Sequence, residues 1–298
     1  MTNFLDRIAR GDILVADGAM GTQLMERGVD VTRCPEQINL THPEILEDIA
    51  RRYFEAGAEI VQANTFGASP LKLARYGLED RTEEIIGNAV AAVRRAVGAK
   101  AYIYGSCGPC TRILKPFGDA DPDDVYGSFV RQMRSFVEFG VDIIGIETMT
   151  DITEAVLAVR AARSVSDSIP VMAAMTFDPT PRGFFTIMGV DIRTAVKKLT
   201  EAGADLVGSN CGNGIERMVE IAGEFKNYTD RPLVIQSNAG LPQIKDGRAV
   251  YPESPEFMAD KAIRLVEIGV AVIGGCCGTT PEHIAALCRM VDSHHRVQ

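Results

Sequence analysis

Ala202-Gly203-Ala204-Asp205-Leu206-Val207-Gly208-Ser209-Asn210-Cys211 reads as a helix stopped by glycine, a two-residue turn, a short apolar strand and a polar strand end. Phe54-Glu55-Ala56-Gly57-Ala58, Phe139-Gly140-Val141-Asp142 and Ile268-Gly269-Val270 repeat the device, each leading into another short apolar run. Working outward from these, strands are expected at 13–16, 60–63, 102–105, 143–146, 171–175, 206–209, 233–236 and 270–274. Between them apolar residues recur at helical spacing, as in Ile45, Ile49, Tyr53 and Ala56, or Val125, Phe129, Met133, Phe136 and Val137. Helix starts are marked by His42-Pro43-Glu44, Asp121-Pro122-Asp123, Glu253-Ser254-Pro255-Glu256 and Thr280-Pro281-Glu282, with proline in the first turn and acid facing the dipole.

Strands alternating with helices imply parallel pairing and right-handed crossovers. Eight such units predict an α/β fold of the (βα)8 TIM-barrel type, a single domain over 1–292 with a polar C-terminal tail at 293–298. An open doubly wound sheet is the structural rival, because periodicity does not register closure. The 298 residues equal about two domains of ~150 residues, or one barrel of ~250 residues or more. No biased tract marks a boundary. With 46% apolar residues, 24% charged residues and 14 prolines, the composition excludes disorder, collagen and coiled coil.

Thirty-one basic against forty acidic residues leave a net charge of −9, which gives no attraction for phosphate backbones or anionic lipid. No nucleic-acid or membrane partner is expected. Apolar stretches such as 269–275 fall short of the ~18 residues of a membrane span, and Asp6 interrupts what would be a secretory leader, so a cytoplasmic protein is expected. Seven cysteines, an odd number, point to reduced thiols with metal or redox work.

Three of them fall on the predicted catalytic rim, at the C-terminal strand ends: Cys211 after the sixth strand, Cys276 and Cys277 after the eighth. Adjacent strand residues point to opposite faces, so both members of the pair can reach one ion only where Gly274, Gly275 and Gly278 let the backbone leave strand geometry. Three thiolates with an open fourth position form a catalytic zinc set, and a substrate thiol entering that position would be held as thiolate. Small buried hydrophobes or a strained vicinal disulfide are the alternatives.

The pieces Asp17-Gly18-Ala19-Met20-Gly21-Thr22, Ala63-Asn64-Thr65-Phe66-Gly67, Ile146-Glu147-Thr148, Ser209-Asn210-Cys211, Ser237-Asn238-Ala239-Gly240 and 274–283, Gly-Gly-Cys-Cys-Gly-Thr-Thr-Pro-Glu-His, span the chain. In this order the chain resembles the homocysteine S-methyltransferase family, closest to the homocysteine-binding module of cobalamin-dependent methionine synthase. The resemblance implies Zn2+ on Cys211, Cys276 and Cys277, with homocysteine sulfur completing the tetrahedron. It also implies that Asp17 and Glu147 receive the substrate ammonium, and that N–H groups around Gly18, Ala19, Thr65 and Phe66 hold its carboxylate. Asp17 as a helix cap and Glu147 as an arginine partner are the plainer readings. Asn210 and Asn238 are supporting residues that tie the metal loops, with Asn210 an alternative zinc ligand when substrate is absent. His283 is expected inside the last helix and off the metal.

The reaction implied is methyl transfer to the thiol of L-homocysteine, giving methionine. The donor is methylcobalamin or a separate methyl-corrinoid protein acting in trans; S-methylmethionine, S-adenosylmethionine, betaine or another acceptor are the alternatives. Cys107-Gly108-Pro109-Cys110 spells a dithiol motif. The chain contains no tryptophan to precede it, and Ser106 stands there instead. A dithiol oxidoreductase and a noncatalytic zinc subunit of a corrinoid complex are the rival functions.

Overall fold

All eight expected runs become strands of one parallel sheet in the computed structural model, which describes residues 2–245 and 248–295. They are β1 (Leu14–Val15), β2 (Ile60–Ala63), β3 (Tyr102–Cys107), β4 (Ile143–Met149), β5 (Val171–Met175), β6 (Leu206–Asn210), β7 (Leu233–Ser237) and β8 (Val272–Gly275). Their spatial order is β1-β8-β7-β6-β5-β4-β3-β2. The last seam is closed by a parallel bridge between Ala16 and Ile60, with Glu59 N–H donating to Val15 O (2.8 Å) and Asp17 N–H to Ile60 O (2.9 Å). Closure decides for the barrel and against the open sheet.

The surrounding helices are α1 (Pro43–Glu55), α2 (Thr82–Val97), α3 (Pro122–Glu138), α4 (Ile152–Val165), α5 (Ile192–Ala202), α6 (Ile215–Lys226), α7 (Pro255–Ile268) and α8 (Pro281–His295). Asp121, Asp151, Asp191 and Ser254 cap four of them by accepting from first-turn N–H groups. The glycine stops have positive φ, at 106° for Gly57, 76° for Gly140, 111° for Gly203 and 82° for Gly269, a conformation that ends a helix cheaply only without a Cβ. Helix α8 runs through His295, so the first three positions of the expected polar tail are helical, and 296–298 lie outside the described residues. Among the described residues no helix is long and apolar enough to cross a membrane.

Strand parity divides the core in two. Val15, Val61, Ile103, Ile144, Val171, Val207, Ile235 and Ile273 face the helices. Leu14, Ile60, Tyr102, Ile143, Met172, Leu206, Val234 and Val272 fill the barrel, and a short N-terminal helix, Phe4–Ala9, stoppers the bottom with Phe4 and Ile8. The Phe4 ring stands edge-on to Tyr102 at 5.5 Å. One layer higher the Tyr104 ring crosses the interior over Gly145, where a Cβ would lie 1.7 Å from its Cζ. The lower barrel is therefore solid, and only the mouth is open to chemistry. Two hairpins on that side, Asp178–Thr180 with Gly183–Phe185 and Gln243–Lys245 with Arg248–Val250, were not expected from the sequence.

Candidate metal centre

By parity Cys211 would point away from the interior. Instead it adopts φ +61°, a left-handed conformation costing a non-glycine residue roughly 1–2 kcal/mol, which turns its side chain back over the mouth. Its N–H stays stitched to Gln236 O at 3.1 Å. Two strands along the barrel, β8 ends at Gly275 and the chain turns: Cys276 N–H donates to Ser237 O (2.7 Å), while Thr279 N–H (3.1 Å) and Thr279 Oγ1 (2.7 Å) donate back to Cys276 O. Strand alternation is broken where the sequence required it.

The three Sγ atoms lie within 4.8 Å of one another, and those of Cys211 and Cys277 are 3.8 Å apart. A tetrahedral zinc with Zn–S bonds of ~2.3 Å sets its sulfurs ~3.8 Å apart, the spacing of the Cys211 and Cys277 pair, so the donor set suits that ion. All seven cysteines are free, which disposes of the vicinal disulfide. Among the described residues no other group of histidine, cysteine and carboxylate side chains meets this geometry. Metal-free, the thiols titrate together. S–H groups of Cys211 and Cys276 favour a thiolate at Cys277, whereas Cys276 is pushed well up by donating to its neighbours and by burial.

The same parity that buries Ile143 carries Glu147 onto the inner face at the mouth. Ser106 Oγ donates to its Oε1, and Asn210 Nδ2 donates to its Oε2 at 3.2 Å. Burial pushes the carboxyl up from 4.5 to about 7, against the Ser106 hydrogen bond and with the Cys211 charge. Asp17, 2% exposed, accepts from Gln62 N–H (2.8 Å) and Gln62 Nε2 (3.3 Å). Burial again, added to the charge of Glu147, drives its carboxyl well above the usual range. Neither plainer reading holds. Among the described residues Asp17 and Glu147 have no ion-pair partner, and the helix Met20–Glu26 that follows Asp17 is capped at Ala19 with no side-chain bond.

Asn210 is fully buried, and its Oδ1 accepts from Thr148 N–H at 2.7 Å while Nδ2 also donates to Thr148 Oγ1 at 2.9 Å. These bonds turn Oδ1 toward Thr148 and tie the end of β6 to the end of β4. Its bonds hold Thr148 at φ +59° and thereby aim Glu147 inward. Asn238 ties the loops through its backbone, donating to Asn213 O at 3.0 Å, and the next N–H, Ala239, donates to Cys277 O at 3.0 Å. The side-chain oxygens of Asn238 and Gln236 are buried without partners.

Of the expected anion donors, Ala19 N–H is taken by Thr279 Oγ1 (3.1 Å) and Thr65 N–H by Ala63 O (2.8 Å). Gly18 and Phe66 N–H have no partner among the described residues. A cavity of about 310 Å³ brings Gly18, Ala19, Phe66, Glu147 and the three cysteines onto one surface. Its wall also holds Gln62 and Glu36, which no sequence pattern announced; Glu36 Oε1 accepts from Gly67 N–H at 2.5 Å. His283 lies in α8 as expected but is buried, bonded to Thr280 and Glu253 and off the metal triad.

Cys107 and Cys110 are both fully buried. Cys107 Sγ donates to Gln132 Oε1 at 3.3 Å, and burial together with Glu154 pushes both thiols up, Cys110 to about 12. Such thiols are poor nucleophiles. Gly108 is where the Phe66 ring packs: a Cβ would stand 2.3 Å from its Cε2. The motif supports the cavity wall.

Comparison with known proteins places this geometry in context. The family described as homocysteine S-methyltransferase matches residues 14–291. A methionine synthase of Mycobacterium leprae (strain TN) is 32% identical over 302 residues, covering 95% of this chain and 24% of that protein. The methionine synthase of Mycobacterium tuberculosis (strain ATCC 25618 / H37Rv) is 33% identical, covering 95% and 25%. The chain thus spans about a quarter of the length of these curated relatives. Among solved structures, the metallated homocysteine methyltransferase MmuM of Escherichia coli has a TM-score of 0.76 at 23% identity, over 93% of this chain and 95% of that one. Its oxidized form gives 0.78 at 23%, over 96% and 97%. At that identity the likeness speaks for the fold.

Proposed function

The chain belongs to the homocysteine S-methyltransferase family, and from that premise we propose that it methylates the thiol of L-homocysteine to give methionine, with Cys211, Cys276 and Cys277 holding Zn2+. The observation that carries the reading is the triad itself: three sulfurs within 4.8 Å of one another on the wall of a cavity that is also lined by Glu147, with Asp17 buried close behind it. Zinc bound there would supply Lewis acidity, keeping an acceptor thiol ionised near neutral pH, where a free alkyl thiol is only a few per cent thiolate.

The remaining work falls to the chain. Among the described residues Asp17 and Glu147 have no cation of their own, and an entering ammonium would compensate both and return their carboxyls toward the ordinary range. Gln62, Ser106 and Asn210 hold those carboxylates in place while the cavity is empty. Gly18 and Phe66 N–H are the donors left for the substrate carboxylate. With both ends of the amino acid held, its sulfur is delivered to the cysteines, and displacement at a donor methyl needs no general base.

The donor reading retained is methylcobalamin or a methyl-corrinoid protein, supported by likeness to two proteins named methionine synthase. Sulfonium donors and betaine remain the alternatives. The test is homocysteine-dependent demethylation of methylcobalamin by the zinc-loaded chain, compared with Cys276→Ala. Methionine formation that is lost with the cysteine supports the reading. Full activity without detectable metal contradicts it, and insulin-disulfide reduction in its place would favour the dithiol function.

A further inference from the structure

Two buried hydroxyls knot the loop after β1 to the metal loop after β8, and two glycines leave them the room. A Cβ on Gly18 would stand 2.5 Å from Thr279 Oγ1 and 2.9 Å from the Tyr53 hydroxyl, and one on Gly275 would stand 2.3 Å from Thr279 Oγ1. Thr279 Oγ1 accepts from Ala19 N–H at 3.1 Å and donates to Cys276 O at 2.7 Å, so a single oxygen joins the residue after Gly18 to the carbonyl of a triad cysteine. From α1 the Tyr53 hydroxyl donates to Ala19 O (3.0 Å) and Thr279 O (3.1 Å). Both backbone groups of Ala19 are thus held by side chains that are wholly buried. Below the knot the strand ladder ties the same segments through Gly275 N–H and Asp17 O at 2.9 Å. Gly18, Ala19, Cys276 and Cys277 line the cavity, whereas Thr279 and Tyr53 stand behind its wall.

We propose that Thr279 is a positioning residue that fixes the metal end of the acceptor site relative to its amino-acid end, so that one molecule bearing both a thiol and an α-amino acid group engages the two together. The proposal rests on the reading of the cavity as a homocysteine site. Two groups on one molecule bind as a unit only while their sites keep the spacing of that molecule, the second contact then costing little further translational freedom. A loosened spacing forfeits that advantage and leaves each half of the site as it was. Threonine suits the task, because its branched Cβ restricts the rotamers of the hydroxyl that ties the loops. Tyr53 braces the same joint from a helix that belongs to neither loop.

The experiment measures three ligands on the zinc-loaded chain: homocysteine by titration calorimetry, and 2-mercaptoethanol and 2-aminobutyrate, its thiol half and its amino-acid half, by competition against it. Thr279→Val keeps the branched shape and removes the hydroxyl. Homocysteine affinity is expected to fall by about tenfold or more, the worth of at least one net hydrogen bond, while zinc content and the affinities of the two halves stay within about twofold. Thr279→Ser, which keeps the hydroxyl, is expected to restore homocysteine affinity. Unchanged homocysteine affinity in Thr279→Val overturns the proposal alone. Parallel weakening of homocysteine and both halves also overturns it, since that reports damage within the half-sites. If Thr279→Val does not fold, Tyr53→Phe, which loosens the knot from outside both loops, is held to the same outcomes. A wild-type chain that takes up no zinc, or on which either half fails to compete with homocysteine, overturns the functional reading and this proposal with it.

Discussion

Replacing Glu147 by glutamine should stabilise the empty protein above neutrality while weakening its hold on substrate. The carboxyl rises from 4.5 to about 7 on folding, so ionising it inside the barrel costs about 3 kcal/mol at a pH above both values. The sign follows: a raised carboxyl pKa contributes stability that is present below 4.5 and lost as pH climbs to about 7. Glutamine keeps an acceptor for Ser106 but turns an N–H toward Asn210 Nδ2, a mismatch of about 1 kcal/mol. The net expectation is a gain of about 2 kcal/mol at pH 8 and a loss of about 1 kcal/mol at pH 4. Urea unfolding of the metal-free chain at both pH values reads it. Homocysteine affinity should fall by about 10- to 100-fold through loss of a charged contact. Equal stability changes at the two pH values would refute the reasoning, because the buried charge would then not be the cause.

Three other outcomes are expected. Asn210→Ala removes the acceptor of Thr148 N–H and a donor to Glu147, so homocysteine binding should weaken by about tenfold or more while zinc is retained; titration calorimetry with metal analysis separates the two. The double variant Cys107→Ser, Cys110→Ser should keep methyl transfer within about twofold, since serine can still donate to Gln132; a collapse of the rate would restore chemistry to the motif. Gly145→Ala drives a Cβ to 1.7 Å from the Tyr104 ring and should cost about 3 kcal/mol or more, partly recovered when Tyr104 is also made Ala. Additive losses in that double-mutant cycle would mean the two residues do not share the interior.

The barrel was legible because most of its strands are short buried runs that open on apolar residues, as in Leu206–Asn210, stopped and started by glycine and proline. Closure was not, since the seam rests on a few backbone bonds around Ala16 and Ile60 that leave no pattern in side chains. The hairpin beginning at Asp178–Thr180 escaped for the opposite reason: that strand contains a proline and buries nothing. Cys211, Cys276 and Cys277 could be read from residue type and place alone. Of their supports, Asn210 was named as tying the metal loops, but its hold on Glu147 was not legible. Ser106, Gln62 and Asn210 matter only because parity turns them inward beside Glu147 and Asp17, a fact of register that needs the closed sheet. Glu36 sits in a single 3-10 turn, Pro35–Gln37, too short for any periodicity to point to what it touches.

The most direct measurement is zinc-edge X-ray absorption of the reduced, zinc-loaded chain before and after homocysteine is added. Three sulfur neighbours at ~2.3 Å should become four on addition, the fourth being the substrate's. A sulfur count that homocysteine leaves unchanged, or a chain that retains no zinc, would contradict the account at its centre.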